Sequence, residues 1–321
     1  MQLPSSPEPI SPRDPRAVAA DLAEAVGTAV RGAPDTVALA LVALLSGGHL
    51  LVEGMPGTGK TLLAKSLAAA TGGHYGRVQC TPDLLPADVT GTSVYSPATG
   101  QWDFRPGPLF ANVVLVDEVN RTSPRTQAAL LEPMEERQVT VDGATHRLPD
   151  PFFVVATQNP FGSAGTFPLP ESQLDRFTLV CTVGLPGRVA EREILDGEGG
   201  VDALDALLPV TVPAELAATI AAVREVHCAH TVRDYVLDVA DATRNHPGIV
   251  LGASPRASLG LLRAAQAHAT VMGRDFVSPD DVKRVAPSAL AHRIVLTHGV
   301  DVHGGWMAVS EIVGAVESPR P

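Results

Sequence analysis

Four short apolar runs in the first 185 residues have the length and pattern of buried β-strands. They read HLLVEG, NVVLVDE, PFFVVATQN and FTLVCTV, and none of them alternates regularly between apolar and polar residues. Strands covered on both faces have continuous apolar runs, whereas half-exposed strands alternate with a period of two. The four runs therefore predict a mostly parallel sheet inside an α/β domain.

Between and after these runs, apolar residues recur at helical spacing. Residues 17–45 carry them three and four apart with a Gly and Pro interruption, which predicts two helices. The segment KTLLAKSLAAATGG predicts a helix that follows the first strand and stops at its two glycines. Beyond residue 187 the spacing is helical throughout, and Ser278, followed by Pro279 and two acids, predicts a helix N-cap.

These patterns predict an α/β domain with a parallel sheet, followed by a smaller all-α domain. The chain then divides into a Pro- and Ser-rich disordered leader at 1–16, the α/β domain at 17–185, the helical domain at 186–316 and a disordered tail at 317–321.

Composition narrows the class of protein. The chain has 321 residues, 45% of them apolar, which suits two domains. Its 24 basic and 35 acidic residues give a net charge of -11 without a basic stripe, which argues against duplex nucleic acid as the main partner. Three scattered cysteines and the absence of a run of roughly 20 apolar residues predict a cytoplasmic protein without membrane insertion.

The segment GMPGTGKT, residues 54–61, fits the P-loop pattern between a predicted strand and a predicted helix. Its glycines let the backbone curl so that amides point at phosphate oxygens. Lys60 would bridge the outer phosphates of ATP, and the Thr61 hydroxyl would coordinate Mg²⁺. The predicted nucleotide-binding residues are Gly54, Met55, Pro56, Gly57, Thr58, Gly59, Lys60, Thr61 and Asp117.

Two adjacent acids end the run NVVLVDE. Asp117 would hold Mg²⁺ through the hydration shell of the ion, and Glu118 would polarise the water that attacks the terminal phosphorus. A dedicated water-activating carboxylate indicates a hydrolase rather than a kinase. In ATQNP, Asn159 has two interpretations, as the amide that orients the attacking water or as a turn residue before Pro160.

Seven segments in this order resemble the MoxR family of AAA+ ATPases: GMPGTGKT, RVQCTPDLLPADVTG, GPLFANVVLVDEVNR, LLEPMEERQVTVDG, ATQNP, GTFPLPESQLDRF and GASPRA. The resemblance covers the chain from about residue 17 to residue 296. It implies a P-loop AAA+ α/β nucleotide domain followed by a helical lid domain. It further implies ATP bound between the subunits of a ring, typically a hexamer. It also implies two inserted hairpins, at 93–107 and 138–150, that point toward the ring pore.

The resemblance also implies roles for individual residues. Lys60 and Thr61 match Walker A, Asp117 and Glu118 match Walker B, and Asn159 matches sensor 1. In QLDRF, Arg176 matches the arginine finger that reaches the ATP of the neighbouring subunit, and in GASPRA, Arg256 matches sensor 2, which touches the outer phosphates. Two alternatives to the finger stay open: Arg121 in DEVNR, or a purely structural pair of Asp175 with Arg176.

By this resemblance the chain is a chaperone-like ATP hydrolase that remodels or activates a partner protein, commonly one with a von Willebrand factor A domain. The resemblance leaves two other motors as alternatives, a nucleic-acid motor and a magnesium-chelatase-type subunit. The acidic charge balance argues against the first of these.

Overall fold

The computed structural model describes residues 13–55, 57–159, 166–297 and 299–319. Most of the predicted leader, the predicted nucleotide-binding residue Pro56 and the last two residues of the predicted tail lie outside this part of the chain. None of the described helices is long and apolar enough to cross a bilayer.

The helices of the described residues are α1 (Pro15–Ala29), α2 (Pro34–Leu45), α3 (Lys60–Ala70), α4 (Pro86–Thr90), α5 (Pro124–Glu136), α6 (Glu171–Leu174), α7 (Arg188–Leu195), α8 (Gly200–Asp205), α9 (Pro213–Val223), α10 (His230–Arg244), α11 (Pro255–Val271), α12 (Pro279–Leu290) and α13 (Val302–Ala315). The strands are β1 (Leu50–Gly54), β2 (Tyr75–Gln79), β3 (Gly91–Ser96), β4 (Gln101–Pro106), β5 (Val113–Asp117), β6 (Gln138–Val141), β7 (Ala144–Arg147), β8 (Phe153–Gln158), β9 (Leu179–Val183), β10 (Ile249–Leu251) and β11 (Val295–Leu296).

A five-stranded parallel sheet in the order β2-β5-β8-β1-β9 forms the first domain. The four predicted apolar runs are β1, β5, β8 and β9, so the predicted parallel sheet is confirmed. The sequence did not reveal β2, which lies at the sheet edge and alternates between buried and more exposed positions. Its segment YGRVQ therefore lacks the continuous apolar run of a central strand.

Both faces of the sheet are covered. In β1, Leu50 and Val52 pack into a core cluster with residues of α1, α2 and α3, while Leu51 packs into a second cluster with residues of α5. Successive side chains of a strand point to opposite faces, so a continuous apolar run is needed to fill both clusters. The carboxyl-terminal ends of the parallel strands are left together at one edge of the sheet.

Two antiparallel hairpins project from this domain, as expected for the segments 93–107 and 138–150. Strand β3 pairs with β4, and β6 pairs with β7. The ring of Phe104 stacks on His146 with centroids 3.8 Å apart, which joins the two hairpins. Trp102, near the tip of the first hairpin, is 70% exposed.

Helices α7–α13 and the short pair β10–β11 follow the sheet, in agreement with the predicted lid. The first helix begins at Pro15, two residues before the predicted start of the ordered chain. The Asp14 side chain accepts a hydrogen bond from the Arg16 amide at 2.9 Å, and Arg13 donates to the Val210 carbonyl at 3.0 Å. The prediction that residues 13–16 belong to a disordered leader is therefore wrong. Their polar side chains form a helix cap, which a pattern of apolar residues does not reveal.

The predicted N-cap at Ser278 is confirmed and is part of a buried polar cluster. Asp281 is fully buried and accepts hydrogen bonds from the Ser278 amide at 2.8 Å, from His268 Nδ1 at 2.6 Å and from Arg274. Burial alone would raise the pKa of Asp281, but these hydrogen bonds hold it well below its ordinary value. The start of α12 is thus fastened to α11 by one carboxylate.

We expect Asp281→Asn to lower the free energy of unfolding by about 3 kcal/mol at neutral pH, since it removes the charge that Arg274 faces. A lowered folded-state pKa contributes stability above the unfolded pKa of about 4, and this contribution is lost as the pH falls through the folded value. The difference between the variant and the unaltered chain should therefore shrink below about pH 4. Urea unfolding at several pH values measures it, with Asp280→Asn as the exposed control, and a difference independent of pH would contradict the assignment.

Candidate active site

The loop between β1 and α3 can adopt its conformation only with glycine at key positions. Gly57 and Gly59 have φ angles of +82° and +87°, and Gly59 directly precedes the first residue of α3. A Cβ on Gly54 would lie 2.8 Å from the Val183 carbonyl oxygen of the neighbouring strand. The loop thus presents backbone and a helix N-terminus, which together favour an anion.

Lys60 lies against this loop. Its Nζ donates hydrogen bonds to the carbonyl oxygens of Gly54 at 2.6 Å and Met55 at 2.9 Å. Partial burial lowers the pKa of Lys60, and the negative charges of Asp117 and Glu118 oppose that effect. Lys60, Thr61, both acids and Asn159 line one cavity of about 490 Å³ together with residues of α8. Residues from the predicted P-loop, Walker B and sensor 1 segments are therefore neighbours in space.

The two acids at the end of β5 are held by different partners. Asp117 Oδ2 accepts a hydrogen bond from Arg77 of β2 at 3.0 Å. Glu118 has a left-handed backbone with φ +57°, and its Oε2 forms an ion pair with Arg121 at 2.8 Å. Arg121, the alternative finger, thus contacts Glu118 of its own chain.

Thr157 of β8 connects the two acids and was missed by sequence reasoning. Its hydroxyl donates to Asp117 Oδ1 at 2.8 Å and accepts from the Glu118 amide at 2.9 Å. Thr157 is fully buried, and both acids line the cavity beside it. The available signal was a lone hydroxyl in the apolar run FFVVATQN.

We expect Thr157→Val to reduce ATP turnover about 10- to 100-fold with little change in nucleotide affinity, because the valine leaves both acids without their shared orienting group. Thr157→Ser keeps the hydroxyl and should retain most of the turnover. Steady-state hydrolysis and nucleotide binding of the two variants measure the effect. Equal turnover in the Val and Ser variants would show that the hydroxyl does not position the acids.

Asn159 follows β8 directly. It lines the cavity with Lys60, and its backbone carbonyl accepts a long hydrogen bond from Asn120 at 3.4 Å. The preceding residue, Gln158, donates a hydrogen bond to Glu53 of β1, next to the P-loop. This contact ties the end of β8 to the end of β1 beside the nucleotide loop.

The residues present fit a magnesium ion bound with a nucleotide. Thr61 and Asp117 line the same cavity and supply a hydroxyl and a carboxylate oxygen, the hard ligands that Mg²⁺ prefers. The described residues contain no group of three or more His, Cys, Asp or Glu side chains that could hold a metal. Two protein ligands suit Mg²⁺, which usually keeps several waters and binds substrate phosphates.

Arg176 and Arg256 lie together and share one acid. Arg176 Nη1 is 3.2 Å from Glu135 Oε2, and Arg256 Nη1 is 3.1 Å from Glu135 Oε1. Asp175 contacts Arg256 at 3.5 Å and the buried Arg293 at 3.1 Å. In the sequence, the segment EPMEERQ is typical of a solvated helix end. Only the folded chain shows that Glu135 in this segment pairs with both arginines.

The two arginines lie at the end of the sheet where the strands begin, whereas the P-loop lies at the end where the strands finish. Leu50, the first residue of β1, pairs with Leu179, the first residue of β9, and the Thr178 amide donates to the His49 carbonyl at 2.9 Å. Arg176 thus precedes the amino-terminal ends of the strands, whereas the P-loop follows their carboxyl-terminal ends. A five-residue strand spans roughly 13 to 17 Å. The predicted contact of Arg256 with phosphate is therefore not made to the P-loop of its own chain.

Comparisons with known proteins agree with this geometry. Residues 49–179 match the family model described as an ATPase family associated with various cellular activities, and residues 241–304 match an AAA lid domain. The Bacillus subtilis protein YeaC is 44% identical over 298 residues, covering 92% of this chain and 93% of its own. Chaperone MoxR1 of Mycobacterium tuberculosis is 44% identical over 276 residues, covering 83% of this chain and 73% of its own.

Among solved structures, a candidate ATPase from Cytophaga hutchinsonii superimposes with a TM-score of 0.85 at 33% identity, covering 95% of this chain and 96% of its own. Its similarity extends through the sheet and the lid, as do the two matched family models. On the P-loop geometry, the paired acids and these relatives, the chain belongs to the MoxR family of AAA+ ATPases.

Proposed function

We propose that the chain binds ATP with Mg²⁺ between the subunits of a ring and hydrolyses it to remodel a partner protein. The observation that carries the proposal is the separation of Lys60 and Glu118 from Arg176 and Arg256, which line different cavities at opposite edges of one sheet. A second copy with its arginine edge against the P-loop edge of the first would complete the site.

Within one copy, each residue has a distinct task. The loop from Gly54 to Thr61 and Lys60 bind the phosphates, and Thr61 and Asp117 hold Mg²⁺, which would neutralise charge on the phosphate oxygens. Glu118 accepts a proton from water, and Asn159 orients that water. The contacts of Thr157 with both acids support this arrangement.

Charge that develops during phosphoryl transfer needs a cation on the open side of the site. A guanidinium serves this purpose well because it is always protonated and bidentate toward phosphate. We propose that Arg176 and Arg256 supply it to the neighbouring subunit. Contacts between different edges of identical subunits are head-to-tail, and such contacts close into a ring when the rotation permits. A hexamer is the ring size that the family suggests.

The base of the nucleotide is proposed to occupy an apolar cavity of about 700 Å³ between α1, α2 and α7. Val30 and Gly32 line it, and Gly32 approaches α7 so closely that a Cβ would lie 2.5 Å from Ala190 Cβ. The segment 187–205 contributes lining residues both to this cavity and to the phosphate cavity. A nucleotide that spanned the two would connect the lid to the P-loop.

The partner protein is proposed from the family rather than from a contact in this chain. The name Chaperone MoxR1 of the relative supports a chaperone-like role, and a protein with a von Willebrand factor A domain is the partner class expected. A pull-down of this class with Glu118→Gln in ATP tests the partner. Equal recovery of the partner with and without ATP would contradict a role of the nucleotide state.

The enzymatic proposal is tested by measuring ATP hydrolysis and molar mass over a range of protein concentrations. Turnover per subunit should rise as the oligomer forms, because each site needs two copies. A monomer with concentration-independent turnover would contradict the shared site, and stimulation by DNA would favour the nucleic-acid motor.

A further inference from the structure

Six arginines surround one cavity of about 300 Å³ at the amino-terminal edge of the sheet. We call it the arginine cavity, and its arginines are Arg137, Arg176, Arg224, Arg256, Arg263 and Arg293. They are a quarter of the 24 basic residues of a chain whose net charge is -11, so positive charge is concentrated here. The carboxylates among its lining residues are Glu135 and Asp175, which leaves a local excess of four positive charges.

Two of the six arginines have structural partners. Arg137 donates hydrogen bonds to the carbonyl oxygens of Phe152 at 3.0 Å and Gly47 at 2.7 Å. Arg293, whose side chain is only 5% exposed, donates to the Asp175 carbonyl at 3.0 Å and the Phe177 carbonyl at 2.9 Å. Burial lowers the pKa of Arg293 to about 10, with Arg256 adding to the effect and Asp175 opposing it, so it stays cationic. Both side chains hold the strand ends in place.

Arg224 and Arg263 differ from the other four. Within the described part of the chain, neither guanidinium has a carboxylate within 4.0 Å, and both residues are exposed. Burial of part of Arg263 lowers its pKa, and the charge of Arg224 lowers it further. The two side chains therefore repel each other across the cavity, and an anion placed between them would relieve this repulsion.

Helix α11 directs this charge into the cavity. Arg256, Leu259, Gly260 and Arg263 all line it, at the spacing i, i+3, i+4 and i+7 that forms one helix face. A Cβ on Gly260 would lie 2.5 Å from Arg293 Nη1, so the glycine leaves room for that guanidinium. Arg224 approaches from the end of α9, and its Nη2 would lie 2.5 Å from a Cβ on Gly47.

We propose that Arg224 and Arg263 bind the phosphate chain of the nucleotide that the adjacent subunit holds, beside Arg176 and Arg256. The inference rests on the ring proposed above and adds two phosphate-binding residues to it. Arg176 and Arg256 are bridged by Glu135, so a phosphate must compete with a carboxylate for them. Arg224 and Arg263 carry no such competitor and attract phosphate directly, through bidentate contacts that guanidinium favours.

The first test measures binding of tripolyphosphate to Lys60→Ala, in which phosphate binding at the P-loop is weakened. We expect residual binding that weakens at least tenfold when Arg224→Gln and Arg263→Gln are added. Arg233→Gln, an exposed arginine of α10 outside the cavity, should leave this binding unchanged, and Arg263→Lys should retain part of it. Tripolyphosphate binding that is unaffected by the double substitution would overturn the proposal. If the double variant fails to fold, the same measurement is made on Arg224→Gln and on Arg263→Gln separately. Thermal melting checks that each of these variants is folded.

The second test asks whether the phosphate belongs to the neighbouring subunit. In otherwise unaltered protein, the double variant should raise the apparent KM for ATP at least fivefold and change kcat less. Mixing it with Lys60→Ala subunits should restore an ordinary KM at interfaces where an intact P-loop faces an intact arginine cavity. An unaltered KM in the double variant, or no restoration on mixing, would overturn the proposal. If the unaltered chain hydrolyses ATP in an Arg176-dependent manner while the double variant shows neither effect, the role of Arg224 and Arg263 is refuted and the shared ATP site is not.

Discussion

Glu118→Gln is expected to bind ATP as tightly as the unaltered chain and to hydrolyse it about 10²- to 10⁴-fold more slowly. The amide is nearly isosteric with the carboxylate but cannot accept a proton from the attacking water. Glu118 lies at the end of β5 with its backbone amide donating to Thr157 and its carboxylate paired with Arg121. The substitution leaves the first contact intact, so the loop around the nucleotide should keep its shape.

Nucleotide binding and single-turnover hydrolysis measured on the same preparation separate the two effects. Glu136→Gln, an exposed glutamate at the end of α5, is a matched control and should leave both unchanged. Ordinary turnover in Glu118→Gln would show that Glu118 is not the general base.

Arg176→Ala is expected to lower turnover by about 10³- to 10⁵-fold, the effect of removing a finger arginine in related hydrolases. The arginine and the P-loop of its own chain line different cavities at opposite ends of the strands, so in the proposed ring the loss should depend on the neighbouring subunit. Mixing Arg176→Ala with Lys60→Ala subunits should restore part of the activity. In such mixtures some interfaces combine an intact P-loop with an intact arginine, although each variant alone has none.

The alternative finger provides the control for this experiment. Arg121→Ala removes the ion pair with Glu118 of the same chain, so its defect should not be rescued by mixing with Lys60→Ala. If mixing rescues Arg121→Ala and Arg176→Ala is fully active, Arg121 is the finger and Arg176 is not. Molar mass must be measured in parallel, because Arg176 lies at the proposed interface and its loss could also prevent assembly.

Glu135 links the two arginines that are proposed to act on the neighbouring nucleotide. It forms ion pairs with both at 3.2 and 3.1 Å and is itself exposed. Exposed ion pairs of this kind contribute little to stability, typically below about 1 kcal/mol. We therefore expect Glu135 to orient the arginines at small energetic cost and to give way to a phosphate that carries more charge.

Much of the candidate nucleotide site could be predicted from the sequence, because its motifs are short and consist of residues close together in the chain. A P-loop needs glycines, a lysine and a hydroxyl at fixed spacing within eight residues, and a buried strand that ends in two acids has a recognisable pattern. The same reasoning predicted four of the five strands of the sheet and the N-cap at Ser278. It missed β2, whose edge position requires no continuous apolar run, and residues 13–16, whose folding depends on contacts with α1 and with Val210.

Other features were decided by the tertiary structure alone. Arg256 and Glu135 are 121 positions apart in sequence, and no local pattern predicts that they meet. Thr157 joins Asp117 and Glu118 because β8 lies beside β5 in the sheet, an order that the sequence of strands does not reveal. The sequence by itself determined which residues are expected to bind a nucleotide and to activate the attacking water. Only the folded sheet decided that the P-loop residues and the arginines line two separate cavities. Residues that follow a strand and residues that precede one lie at opposite ends of a parallel sheet.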